Sequence, residues 1–141
     1  MARRLLLVIL TAAALLAGCA STPSLPVAGS PNFDGVYRLT YSNTGGALYY
    51  RFYPEGIVLS ARSEAPAADV LPTLSLENAN TSRGNWTAVN GELKIGVNEG
   101  TVWYDSRFDL GNGGRIALRG LPRSFEFLPV DGSGNIEISS R

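Results

Sequence analysis

Between Phe33 and Val130, short runs of Tyr, Phe, Val, Ile, Leu and Thr are cut every eight to twelve residues by Gly, Asn, Asp or Pro. That spacing constrains the fold more than any other feature, because helices need longer uninterrupted windows and closely spaced turn signals specify short antiparallel strands. Strands are expected near 35–42, 47–53, 57–62, 84–89, 92–97, 101–110, 115–119 and 124–130, with 135–139 as a ninth strand or a frayed tail. The stretches NTGG (43–46), PEG (54–56), NEG (98–100) and GNGG (111–114) supply residues that tolerate positive φ. Asn90-Gly91 is the sharpest of these signals: a two-residue loop between alternating segments specifies a type I′ hairpin. Consecutive hairpins make a meander. The fold class is therefore all-β, an antiparallel meander of about eight strands.

An open sheet of that size leaves unpaired edges, and closure into a small barrel removes them. The one long connection, 63–83, breaks the alternation. Ala65–Leu71 within it can form a short helix, with Pro66 at its start and Pro72 limiting its end. A connection of this length inside a compact domain is expected to have a role, such as covering a barrel mouth.

The first 32 residues are of a different kind. Arg3 and Arg4 precede Leu5–Leu16, twelve residues of Leu, Ala, Val and Ile broken only by Thr11. As a helix this run would reach roughly 18 Å, short of the ~30 Å hydrocarbon core, so it reads as a secretory signal peptide. Residues 20–32, ASTPSLPVAGSPN, place Pro23, Pro26 and Pro31 among small residues and read as an extended tether, at most about 40 Å long. The organisation is then 1–18 signal, 19–32 acylated cysteine and tether, and 33–141 folded domain.

The junction Leu16-Ala17-Gly18-Cys19 resembles the lipobox of bacterial lipoproteins. The resemblance implies that Leu16, Ala17 and Gly18 are read by the signal peptidase. Cys19, the only cysteine in 141 residues, would receive diacylglycerol and become the acylated N-terminus. Three acyl chains, such as palmitate, would hold the protein on a membrane, where a single chain binds only marginally. Ala20, in place of the aspartate that marks inner-membrane retention, points to the outer membrane. A lone thiol also leaves nothing to form disulfides in an oxidising envelope.

Three further stretches, FDGVYRL (33–39), YYRFYPEGIVL (49–59) and RGNWTAVNGELKI (83–95), resemble small bacterial lipocalin-like (calycin) proteins. Gly35-Val36-Tyr37 stands where true lipocalins carry Gly-x-Trp, and none of the later lipocalin motifs is present. The resemblance implies a small lipocalin-like barrel, and an interior that could hold one small ligand.

Composition excludes several functions. Loss of residues 1–18 removes Arg3 and Arg4 from the 12 basic residues, leaving ten against 12 acidic ones, a formal charge of −2. No basic cluster is present for nucleic-acid binding. There is no histidine, and the one cysteine is assigned to the lipid, so thiol–imidazole pairs, Ser-His-Asp triads and His- or Cys-based metal sites are excluded. Asp105 and Asp109 lie about 13 Å apart along one strand face, too far for the usual glycosidase separations. DGSGN (131–135) has Ile136 where a calcium loop needs Gly, and reads as a plain turn. No enzyme, cofactor or metal is expected.

What remains is a supply of aromatic rings. Alternation puts Leu48, Tyr50 and Phe52 on one face of a strand and Tyr49, Arg51 and Tyr53 on the other. The first set is the more apolar and is expected inside, beside Trp86. The same rings can simply fill a small core. Tyr50, Phe52, Trp86 and Trp103 are the candidate ligand-binding residues, with Arg51 or Arg107 as polar partners in the opposite register. Two functions stay open: binding a small apolar or amphiphilic ligand, or binding or inhibiting another envelope protein.

Overall fold

The computed structural model describes residues 29–137. The signal-peptide residues, the lipobox and Cys19 lie outside the described residues. So do the last four residues, including the end of the proposed ninth strand.

Eight strands form one antiparallel sheet: β1 (Gly35–Thr40), β2 (Ala47–Phe52), β3 (Ile57–Ser63), β4 (Ser82–Val89), β5 (Glu92–Glu99), β6 (Val102–Leu110), β7 (Ile116–Leu118) and β8 (Glu126–Pro129). The spatial order β7-β6-β5-β4-β3-β2-β1-β8 is a meander with one exception: the last strand returns to pair with the first. The sheet curls into a half-barrel. Its seam is bridged by the few residues just before β8: Ser124 bridges to Ala117, and the Phe125 N–H donates to the Ile116 carbonyl at 2.8 Å. The edge problem posed by an eight-strand meander is met by this short bridge instead of a full ladder.

The local signals set the hairpins. Asn90 and Gly91 take φ of 51° and 75°, the pair of positive values that a type I′ turn requires. The turn fixes Val89 opposite Glu92, and from there Trp86 opposite Ile95 and Thr87 opposite Lys94. Beyond β8 the chain makes an Asp131-centred turn, with the carboxylate accepting from the N–H groups of Ser133 and Asn135. A single bridge, Val130 to Ile136, is all that the described part of the expected ninth strand forms.

Two apolar layers flank the sheet. Inside lie Tyr37, Leu39, Leu48, Tyr50, Phe52, Val58, Leu93, Ile95, Val97, Phe108, Leu110, Ile116 and Phe125. Outside, the opposite face of β1–β3 presents Val36, Tyr49 and Leu59 to the long connection. There α1 (Ala67–Val70), extended by a 3-10 turn over Leu71–Thr73, buries Ala67, Val70, Leu71 and Leu74. The Tyr49 hydroxyl donates to the Ala65 carbonyl, and Tyr53 and Arg51 both donate to the Leu74 carbonyl. The short helix lies within the stretch expected, but the helical path runs on through Pro72 as a 3-10 turn instead of stopping before it, and it covers the wall and not a mouth. The reason is that the outer face of β2 carries Ala47 and Tyr49, which need a cover as much as the inner Leu48, Tyr50 and Phe52 do, and the cover also supplies a carbonyl to Arg51.

One end of the barrel is closed by the entering chain. Pro31 is fully buried, the Asn32 N–H donates to the Tyr37 hydroxyl at 2.8 Å, and that hydroxyl donates to the Gly114 carbonyl at 2.7 Å. Phe33 lies 5.8 Å from Trp86, ring centre to ring centre. Pro31 and Asn32, expected in the tether, therefore belong to the fold.

Candidate functional site

The structure brings three of the four sequence-designated residues together. Tyr50, Phe52 and Trp86 all face inward. Phe52 meets Trp86 edge-on, with centroids 6.1 Å apart, and Tyr37 edge-on at 5.4 Å. Tyr50 touches Phe108 and Phe125 at 6.2 and 5.5 Å, and those two rings meet at 5.4 Å. The inner face is the one expected, the Leu48 set beside Trp86. Its rings hold each other in an almost continuous network, in the tilted and edge-to-face geometries that aromatic quadrupoles favour. Burial pushes the Tyr37 and Tyr50 hydroxyls up to about 12 from 10.0; the nearby Asn32 amide and the Arg62 charge, respectively, act in the opposite direction.

Trp103 is elsewhere. The β5–β6 register sets it opposite Asn98, on the side away from Leu93, Ile95 and Val97, so it stands on the outer surface and is half exposed. Of the proposed polar partners, Arg51 lies under the long connection and Arg107 projects outward with Trp103.

The outer face of β4, β5 and β6 is ordered in rows by the ladder. One row is Thr87, Lys94 and Arg107; the next is Asn85, Gly96 and Asp105; the third is Arg83, Asn98 and Trp103. Gly96 leaves a hole in the middle of this polar surface, and the Trp103 ring leans across it. A Cβ on Gly96 would fall among the ring atoms Cζ2 and Cε2, so only glycine allows the ring to settle there. The indole N–H donates to Asp105 Oδ1 at 2.7 Å, which fixes the ring's orientation.

The result is an open cleft of about 350 Å³ bordered by Asn85, Thr87, Lys94, Trp103, Asp105 and Arg107. That volume is at the lower end of the ~300–1,000 Å³ range of small-molecule sites. Glu92 lies at its edge. Its carboxylate is engaged mainly by Arg119 at 2.7 Å, with Lys94 at 3.4 Å and Arg107 at 3.9 Å, and the Arg119 hydrogen bond holds it below the ordinary carboxylate range. Lys94 and Arg107 are more than half exposed, so both remain available to a ligand.

A smaller opening of about 230 Å³ lies where β3 parts from β4 beyond the Ser60–Ser82 pair, and is bordered by Ser60, Arg62 and Glu99. Arg62 spans this breach, reaching Glu99 at 3.4 Å and the Tyr41 hydroxyl at 2.9 Å. The Asp105 and Asp109 carboxylates do not converge: one accepts from Trp103, the other from Arg119. Among the described residues, no group of three Asp, Glu, His or Cys is placed to hold a metal ion, and no helix is long and apolar enough to cross a membrane.

Sequence reasoning missed Gly96 and Lys94, and named Arg107 only as a polar partner for an interior site. The signal was present, because two tight turns in succession fix the parity of every residue on β4, β5 and β6. No known protein family, curated protein or solved structure matches the chain.

Proposed function

We propose that this chain is a non-enzymatic binding module, held at the bacterial cell envelope by a lipid on Cys19, and that it recognises its partner through the outer cleft of β4–β6. The observation that carries this reading is the contrast between the two faces at Trp86 and Trp103. The inward ring is half-buried, packs against Phe33 and Phe52 and donates its N–H to the Tyr53 carbonyl, whereas the outward ring is oriented by Asp105 and left half exposed above a cleft. Exposed aromatic side chains flanked by arginine are typical of binding surfaces, while rings in mutual contact are typical of cores. Under the lipocalin-like resemblance a ligand would sit inside, in space that the rings of Tyr50, Phe52, Phe108 and Phe125 occupy.

The test uses the full chain, expressed in a bacterium and extracted in mild detergent. Native mass spectrometry should give the acylated chain without cargo, and Cys19→Ser should move the protein from the membrane to the soluble fraction. A small molecule that leaves only on denaturation would overturn the outer-cleft reading. Membrane retention of the Cys19→Ser chain would overturn the anchor.

A further inference from the structure

We infer that the cleft over Gly96 takes a saccharide carrying carboxylate groups, with a pyranose ring stacked on Trp103 and a carboxylate met by Lys94 and Arg107. This deepens, and rests on, the outer-cleft reading above. The chemistry follows from three observations. First, the aromatic element is a single ring, half exposed. It offers a flat apolar area the size of one sugar ring, much smaller than the apolar core of a stable protein interface. Second, apart from Trp103, Trp86, Ile95 and Gly96, the residues that border the cleft are polar. Asn85 brings an amide, Thr87 a hydroxyl and Asp105 a carboxylate. Together they offer donors and acceptors in alternation, as a polyhydroxylated ligand requires and an apolar one does not.

Third, the charges are unequal. Lys94 and Arg107 both border the cleft, and their nearest anionic partner, Glu92, is held closest by Arg119. Asp105, the carboxylate inside the cleft, accepts from the neutral Trp103 N–H and sets one negative charge against the two positive charges of Lys94 and Arg107. Arg83, exposed in the same row as Trp103, adds a further cation. The local excess of positive charge, on a chain whose composition is balanced overall, favours an anionic ligand, and arginine can bind a carboxylate in two-point fashion.

The experiment is isothermal titration of the full acylated chain in detergent with tetragalacturonate, and with neutral maltotetraose as the comparison. Tetragalacturonate should bind more tightly. Trp103→Ala should weaken it about tenfold. Arg107→Gln and Lys94→Gln should each weaken it several-fold, and binding should fade as ionic strength rises toward ~1 M. Since Trp103 and Arg107 are exposed, these variants should fold, and circular dichroism checks this. Gly96→Ser, which displaces the ring from below, gives a second route to the same loss.

Equal affinity for the two saccharides, or binding indifferent to Trp103→Ala and Gly96→Ser, overturns the proposal. No binding of either saccharide at millimolar concentration overturns it as well. With a cargo-free native mass, that failure falls on the saccharide alone, whereas a cargo that leaves on denaturation overturns the outer-cleft reading itself.

Discussion

Replacing Phe52 by alanine tests the claim that the inside of the sheet is packed. The ring is fully buried and makes edge-on contacts with Tyr37 at 5.4 Å and Trp86 at 6.1 Å, and a tilted contact with Tyr50 at 6.1 Å. Removing such a side chain costs the transfer free energy of its atoms and leaves a hole that stiff neighbours cannot fill, together ~3–5 kcal/mol. A domain of this size has about 5–15 kcal/mol in all. The substitution therefore removes a large share of the stability and should lower Tm by about 15–30 °C. Phe52→Leu, which keeps much of the volume, should cost about 1–2 kcal/mol. The assay is urea unfolding followed by tryptophan fluorescence. Trp103→Phe leaves Trp86 as the sole reporter, since the chain has two tryptophans. A loss below about 1 kcal/mol for Phe52→Ala, with an unchanged denaturant slope, would mean that the ring borders slack space. The packing argument against an interior ligand would then fail.

Three other outcomes are expected. Tyr37→Phe strands the Asn32 N–H and the Gly114 carbonyl that its hydroxyl joins, and should cost ~1–3 kcal/mol by urea unfolding. Tyr37 and Tyr50 both have their ionisation raised in the folded state to about 12 from 10.0. The neutral form is the one the fold favours, so their contribution is intact below pH 10 and is lost as the pH rises from there through about 12. Absorbance titration of the tyrosines alongside unfolding midpoints checks it, and midpoints that stay level across that window would contradict it. Gly84→Ala would drive a Cβ into backbone atoms of Gly96 and Val97. The β4–β5 ladder must part, with a loss of at least ~1–3 kcal/mol measured by thermal unfolding.

The exposed positions provide the contrasting expectation. Trp103→Ala removes a half-exposed ring, and its effect on Tm should be small beside that of Phe52→Ala, in keeping with surface substitutions generally. A Tm loss comparable to that of Phe52→Ala would make Trp103 a structural residue and undercut its proposed role in binding.

Local chemistry made the strands and hairpins legible. Asn90-Gly91 could adopt the two positive φ values of its turn without help from any distant contact, and the apolar and polar residues of β5 alternate as a half-buried strand must. The same local rules placed the start of the short helix after Pro66, since proline suits the position just before a first turn, whereas Pro72 sits inside the 3-10 turn that extends the helix and does not end it. The aromatic content predicted a ring-rich core, and the Leu48 face was the more apolar of two candidates.

Other features needed the third dimension. β2 carries large apolar side chains on both sides, with Arg51 among those of the outer side, and only the path of the long connection decided that Tyr49 is covered by Val70, Leu71 and Leu74 and not by solvent. The return of β8 to pair with β1, and the bond from the Asn32 amide to the Gly113 carbonyl, depend on residues far apart in sequence meeting through curvature. Trp103 shows the division most clearly. As a letter in the chain it was one more ring to place with Tyr50, Phe52 and Trp86. The ladder with β5 turned it outward, and the missing side chain of Gly96 gave it a place to rest. Sequence by itself determined what each segment prefers. Which face becomes core and which becomes surface was decided by the tertiary structure, because a strand's two faces are distinguished only by what packs against them.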